Sequence, residues 1–120
     1  MGTMTILVVE DDDEIRDLVA ELLRDAGFDV ATAPNGELAL AYLADHDLPT
    51  VMVLDLMMPI MDGWEVRKRM LADPALAAVP VIVVSGTADL AEAAENLRAV
   101  RIFTKPVRFQ ALLDEVRAHG

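Results

Sequence analysis

The chain has no cysteine, which excludes disulfides and thiol chemistry and points weakly to a reducing compartment. Bases are scarce: ten Lys and Arg stand against 21 Asp and Glu, for a formal net charge of −11 at pH 7. A field of that sign opposes direct contact with a nucleic-acid backbone. No apolar run approaches the roughly 20 residues that span a bilayer. No basic segment precedes the first apolar stretch, as a secretory signal would require. These absences predict a cytoplasmic protein with neither a membrane nor a nucleic acid as direct partner. What is present is a chain of 120 residues, 54% of them hydrophobic, enough for one domain with its own core. A single domain over 1–120 is expected, with residues 1–3 ("MGT") a flexible or non-native extension.

Apolar runs alternate with helical patterns along the whole length. "TILVV" (5–9) leads to Ile15, Leu18, Val19, Leu22, Leu23 and Ala26, spaced to share one helix face before Gly27 stops it. "FDVATA" (28–33) precedes a helix near 36–45, and "TVMVL" (50–54) precedes one near 64–72. "PVIVV" (80–84) precedes one near 88–98, and "VRIF" (100–103) one near 107–118. This alternation predicts an α/β fold with a parallel sheet covered on both faces. "ILVV", "VMVL" and "VIVV" are continuously apolar, as central parallel strands are, whereas strands 2 and 5 are mixed, as edges are. The doubly wound, flavodoxin-like order 2-1-3-4-5 satisfies both conditions. It places a site outside the carboxyl ends of the strands, where the order reverses between strands 1 and 3.

Chemistry collects at those ends. Strand 1 runs into Glu10 and Asp11, strand 3 into Asp55, strand 4 into Ser85 and Gly86, and strand 5 into Thr104, Lys105 and Pro106; strand 2 ends in Pro34 and Asn35. Asp12 and Asp13 read as a helix start, favoured by the cap and the dipole. Taken singly, Ser85 reads as a turn and Lys-Pro as a loop. A carboxylate directly after four buried residues, as at Asp55, is poorly placed for routine solvation. Jointly, three carboxylates, a hydroxyl and an ammonium suit Mg²⁺, which takes hard oxygen ligands and keeps several waters. They also suit a carboxylate nucleophile towards phosphorus, with metal and ammonium neutralising the added charge. His46 and His119 lack ligand spacing. "LMMPIM" reads as a loop packed on the sheet, and Trp64 as a packing anchor.

The motifs "ILVVEDD", "VLDLMMPIMDG", "VIVVSG" and "TKP" occur here in order, and over essentially its full length the chain resembles a receiver domain of two-component response regulators, in particular the single-domain chemotaxis type. The resemblance implies a phosphorylation switch. In it Asp55 accepts a phosphoryl group from a sensor histidine kinase or phosphotransfer protein. It implies Mg²⁺ held by Asp11, Asp55 and the Met57 carbonyl, with Glu10 acting through water. Ser85 and Lys105 would contact the phosphoryl oxygens, and the Lys105–Pro106 bond would be cis. The switch would be Ser85 with the residue three before the lysine, an aromatic in many members and Ile102 here. Val100 and Arg101 replace the acidic pair of regulators that dimerise on DNA, and "LRAVRIF" replaces the usual Gly turn. The site therefore looks complete and the usual output surface does not, which suggests a monomer or weak dimer. A pure interaction module on this fold would not need Asp11, Asp55 and Lys105. A phosphohydrolase would want a general acid where Met57 stands, and a nucleotide or flavin binder would want a Gly- or Ser/Thr-rich phosphate loop after strand 1.

Overall fold

The computed structural model describes residues 4–86 and 97–119. Five parallel strands form one sheet: β1 (Thr5–Val9), β2 (Asp29–Ala33), β3 (Val51–Asp55), β4 (Val81–Ser85) and β5 (Arg101–Thr104). Their order is β2-β1-β3-β4-β5, as expected for a doubly wound fold. Every residue of β3 and β4 is buried, whereas β2 and β5 are mostly half-buried or exposed. Hydrophobic runs therefore occupy the centre and mixed runs the edges.

The helices among the described residues are α1 (Asp13–Asp25), α2 (Gly36–Asp45), α3 (Gly63–Leu71), α4 (Pro74–Ala77) and α5 (Phe109–Ala118). Strand residues alternate between two cores. Leu7, Val9, Met52, Leu54, Val81 and Val83 pack with Ala39 and Leu43 of α2 and Val66 and Met70 of α3. Ile6, Val8, Val51, Val53, Ile82 and Val84 pack with Leu23 of α1 and Leu112, Leu113 and Val116 of α5.

Several details depart from the sequence reading. α4 was not expected: it is a single turn, too short for a periodic signal. The Asp73 carboxylate accepts the Ala75 N–H at 3.0 Å, and Pro74 sits at a first-turn position that needs no N–H. The helix predicted near 88–98 falls largely outside the described residues. Where the usual glycine turn is missing, Arg98 itself takes a left-handed conformation, with φ of 55°. Ile15 and Leu18, expected on the buried face of α1, are 43% and 56% exposed. α5 begins only at Phe109, so the first turns of α1 flank an open groove instead of a helix. The loop "LMMPIM" is divided: Leu56 and Met58 are buried, while Met57 and Ile60 are 56% and 77% exposed.

Candidate functional site

The strands set the site. Predicted ends fall one residue early, so Asp55, Ser85 and Thr104 are the last residues of β3, β4 and β5. The Leu56 N–H bonds the Val84 carbonyl at 3.1 Å, and the Lys105 N–H bonds the Ser85 carbonyl at 2.7 Å. Those bonds carry the ladder one step past the strands and fix where Asp55 and Lys105 leave the sheet. Ser85 is fully buried beside them. The Lys105–Pro106 peptide is cis.

The acidic run after β1 is shared between two tasks. The Asp12 carboxylate caps α1 by accepting the Ile15 N–H at 3.1 Å, and Asp13 pairs with Arg16. The Arg16 guanidinium also donates to the Glu10 carbonyl at 3.1 Å, while the Glu10 N–H bonds the Ala33 carbonyl. The turn thus holds Glu10 inward, 5% exposed, and leaves Asp11 at the surface above it. One carboxylate oxygen each from Glu10, Asp11 and Asp55 lies within 4.8 Å of the others.

Asp55, 3% exposed, has both oxygens engaged. Oδ1 accepts the Met57 N–H at 3.1 Å, and Oδ2 accepts from Lys105 Nζ at 3.1 Å. The same ammonium reaches Glu10 Oε1 at 3.4 Å. Burial, helped by a hydrogen bond to Asp55 and by its charge, pushes the Glu10 carboxyl up to about 8, against the pull of Lys105. Burial works against the Lys105 ammonium, but its bond to Asp55 and the two carboxylate charges raise its pKa above the usual lysine value. The cluster is a set of hard oxygen donors short of positive charge.

Gly63 is a constraint the sequence reading passed over, although "MDG" carried its signal. Its N–H bonds the Leu56 carbonyl at 2.9 Å. A Cβ there would lie 2.6 Å from the Asp55 carbonyl oxygen and 2.7 Å from Leu56 Cα. α3 therefore begins pressed onto the backbone that carries Asp55. Ile102 is half-buried and packs in the α2/α3 core, while Phe103 lies in the opposite core, as strand alternation requires. Beside Lys105, Pro106 and Asp55 opens a mainly apolar groove of about 500 Å³, whose walls include Ile15, Leu18, Val53, Val84 and Phe109.

Residues 6–117 match the response regulator receiver domain model, and the chain belongs to that family of two-component signalling domains. It is 32% identical to the protein PilG of Pseudomonas aeruginosa, covering 97% of this chain and 87% of that one. It is 34% identical to the response regulator PleD of Caulobacter vibrioides, covering 93% of this chain but 28% of PleD. The response regulator TrrA of Thermotoga maritima, solved in complex with Mg²⁺ and BeF, superposes with a TM-score of 0.87 at 26% identity, covering 98% of this chain and 99% of that one. Among the described residues no helix is long and apolar enough to cross a membrane.

Proposed function

We propose that this chain is a phosphorylation switch that accepts a phosphoryl group on Asp55 from a phosphohistidine of a sensor kinase or phosphotransfer protein. The observation that carries the reading is the buried Asp55 carboxylate at the end of the central strand, with Lys105 Nζ 3.1 Å away and Glu10 and Asp11 oxygens within 4.8 Å. An Asp55 oxygen attacks phosphorus. The new O–P bond forms as the P–N bond of the donor breaks, and the electron pair leaves on the imidazole nitrogen. The ammonium of Lys105 then exchanges its contact with Asp55 Oδ2 for a phosphoryl oxygen, and Ser85 donates a hydrogen bond from the end of β4. The domain acts on its own side chain and releases no separate product except phosphate on hydrolysis.

Mg²⁺ fits the donor set: three carboxylates of hard oxygen, one of them driven up to about 8, lack sufficient positive charge. Asp11, Asp55 and the Met57 carbonyl would hold it, with Glu10 behind a water. When bound, the ion neutralises charge on the transferring group. TrrA, of the same fold, was solved with Mg²⁺ and BeF, which supports this choice. The apolar groove beside Asp55, with Ile15 and Leu18 at its edge, is the surface on which a donor protein docks. Ser85 and Ile102 form the switch pair. Lacking a ring, Ile102 buries less area on moving than an aromatic would, so the chain works as a monomer or weak dimer in the cytoplasm.

The test is incubation with acetyl phosphate and Mg²⁺ followed by mass spectrometry of the adduct. The wild type gains one phosphoryl group on the peptide containing Asp55. Full, stable labelling of Asp55→Ala would overturn the assignment.

A further inference from the structure

Among the described residues Arg67 is the one buried charged side chain outside the acidic site, 2% exposed. No carboxylate among the described residues pairs with it. Its Nε donates to the Leu97 carbonyl at 2.8 Å and its Nη2 to the Arg98 carbonyl at 3.3 Å. Its Nη1 is buried with no partner among the described residues. Burial, and then the charge of Arg98, lower its pKa from the usual arginine value. A guanidinium held in this way is a poor choice for packing alone, because desolvation of the ion is only partly offset by neutral acceptors. The neighbouring α3 residues Val66 and Met70, both fully buried, fill the same region without that penalty.

Its position gives it another task. One turn before Arg67, Gly63 presses α3 onto the backbone of Asp55 and Leu56. At its tip, Arg67 grips the two carbonyls of 97–98, where Arg98 is held in the left-handed region that an L side chain seldom occupies. Two residues on, the Val100 N–H bonds the Val81 carbonyl at 2.9 Å, and β5 follows. β5 delivers Lys105, which returns to Asp55. A closed path thus runs from Asp55 through α3 and Arg67 to the entry of β5 and back.

Resting on the reading of Asp55 as phosphoacceptor, we propose that Arg67 is a positioning residue that couples the state of Asp55 to the entry of β5, by a route that does not pass through Ile102. A guanidinium is a rigid fork of five N–H groups. A small shift of α3 therefore exchanges which N–H meets which carbonyl, where an apolar side chain would slide. Nη1, with no partner among the described residues, is the donor available for that exchange.

The test is amide hydrogen exchange on the wild type, Arg67→Lys, Arg67→Met and Ile102→Ala, each with and without beryllofluoride and Mg²⁺. In the wild type, beryllofluoride slows exchange both at 55–60 and at 98–104. In Arg67→Met the slowing at 55–60 remains, while that at 98–104 falls by about threefold or more. Arg67→Lys, which keeps the charge but not the planar fork, lies between, and Ile102→Ala, which removes the switch residue, keeps the slowing at 98–100. Should Arg67→Met fail to fold, Arg67→Lys decides by the same comparison. Slowing at 98–104 that is unchanged in the folded Arg67 variants, or slowing at 98–100 that is lost in Ile102→Ala, overturns the proposal. No effect at 55–60 in the wild type overturns the phosphoacceptor reading as well.

Discussion

Replacing Glu10 by glutamine should remove most of the pH dependence of this protein's stability between about pH 5 and 8. The Glu10 side chain is 7% exposed, and its carboxyl is driven from an ordinary 4.5 to about 8, first by burial and then by Asp55. For an acid whose folded pKa is raised, the folded state keeps a proton that the unfolded chain has released. The stabilisation is fully present below 4.5 and is lost as pH rises through about 8. At about 1.36 kcal/mol per pKa unit, the loss over this window amounts to about 3–5 kcal/mol. That is a large share of the roughly 5–15 kcal/mol typical of a domain. Lys105 does not mask it, because a raised ammonium holds its contribution below its ordinary 10.5 and loses it only at higher pH. Glutamine mimics the protonated carboxyl, accepting from Lys105 and donating to Asp55, and cannot ionise. Urea unfolding followed by Trp64 fluorescence in EDTA, at intervals from about pH 5 to 9, measures this. The wild type should lose stability steadily between about pH 5 and 8 and level off above that, while Glu10→Gln stays level throughout and is the more stable protein by pH 8. Mg²⁺ should restore the wild type at high pH, since binding to the folded form adds stability by mass action. Parallel curves for the two proteins in EDTA would refute the argument.

Three other outcomes follow from the geometry. Gly63→Ala places a Cβ 2.6 Å from the Asp55 carbonyl oxygen, a backbone neighbour that cannot rotate away; thermal melts should show a loss of about 1–3 kcal/mol or more, with slower phosphorylation. Lys105→Ala should lose only about 1–2 kcal/mol near pH 6, where Glu10 is protonated, and more near pH 9, where two buried carboxylates face each other. It should also lose the exchange response to beryllofluoride; a pH-independent loss of stability would contradict the role of its charge. Asp11→Ala should weaken Mg²⁺ binding in calorimetry with little change in melting, whereas Asp12→Ala should cost about 1 kcal/mol of stability and leave Mg²⁺ affinity unchanged.

Local pattern was enough for much of this protein. Whether a strand is central or at an edge is written in its own five residues, because burial on both faces demands an unbroken apolar run; β3 and β4 satisfy that and β5 does not. With the order so constrained, the residues at or just past each strand's end mark the candidate site, and Glu10, Asp11, Asp55, Ser85 and Lys105 can be read there. The Asp12 cap was legible for the same reason: it involves a neighbour three residues away.

What the tertiary structure alone decided depends on distant groups. The periodicity of α1 shows which face is apolar, but whether Ile15 and Leu18 are covered depends on where α5 begins, more than 90 residues later. The ionisation of Glu10 depends on Lys105, 95 residues away, and on burial by other strands. Arg67 lies in "GWEVRKRML", a charged stretch in which an arginine reads as surface; only the approach of 97–98 makes it a buried donor to two carbonyls. Apolar spacing is a property of neighbours in the chain, whereas burial and charge balance belong to neighbours in space, and folding supplies the second set.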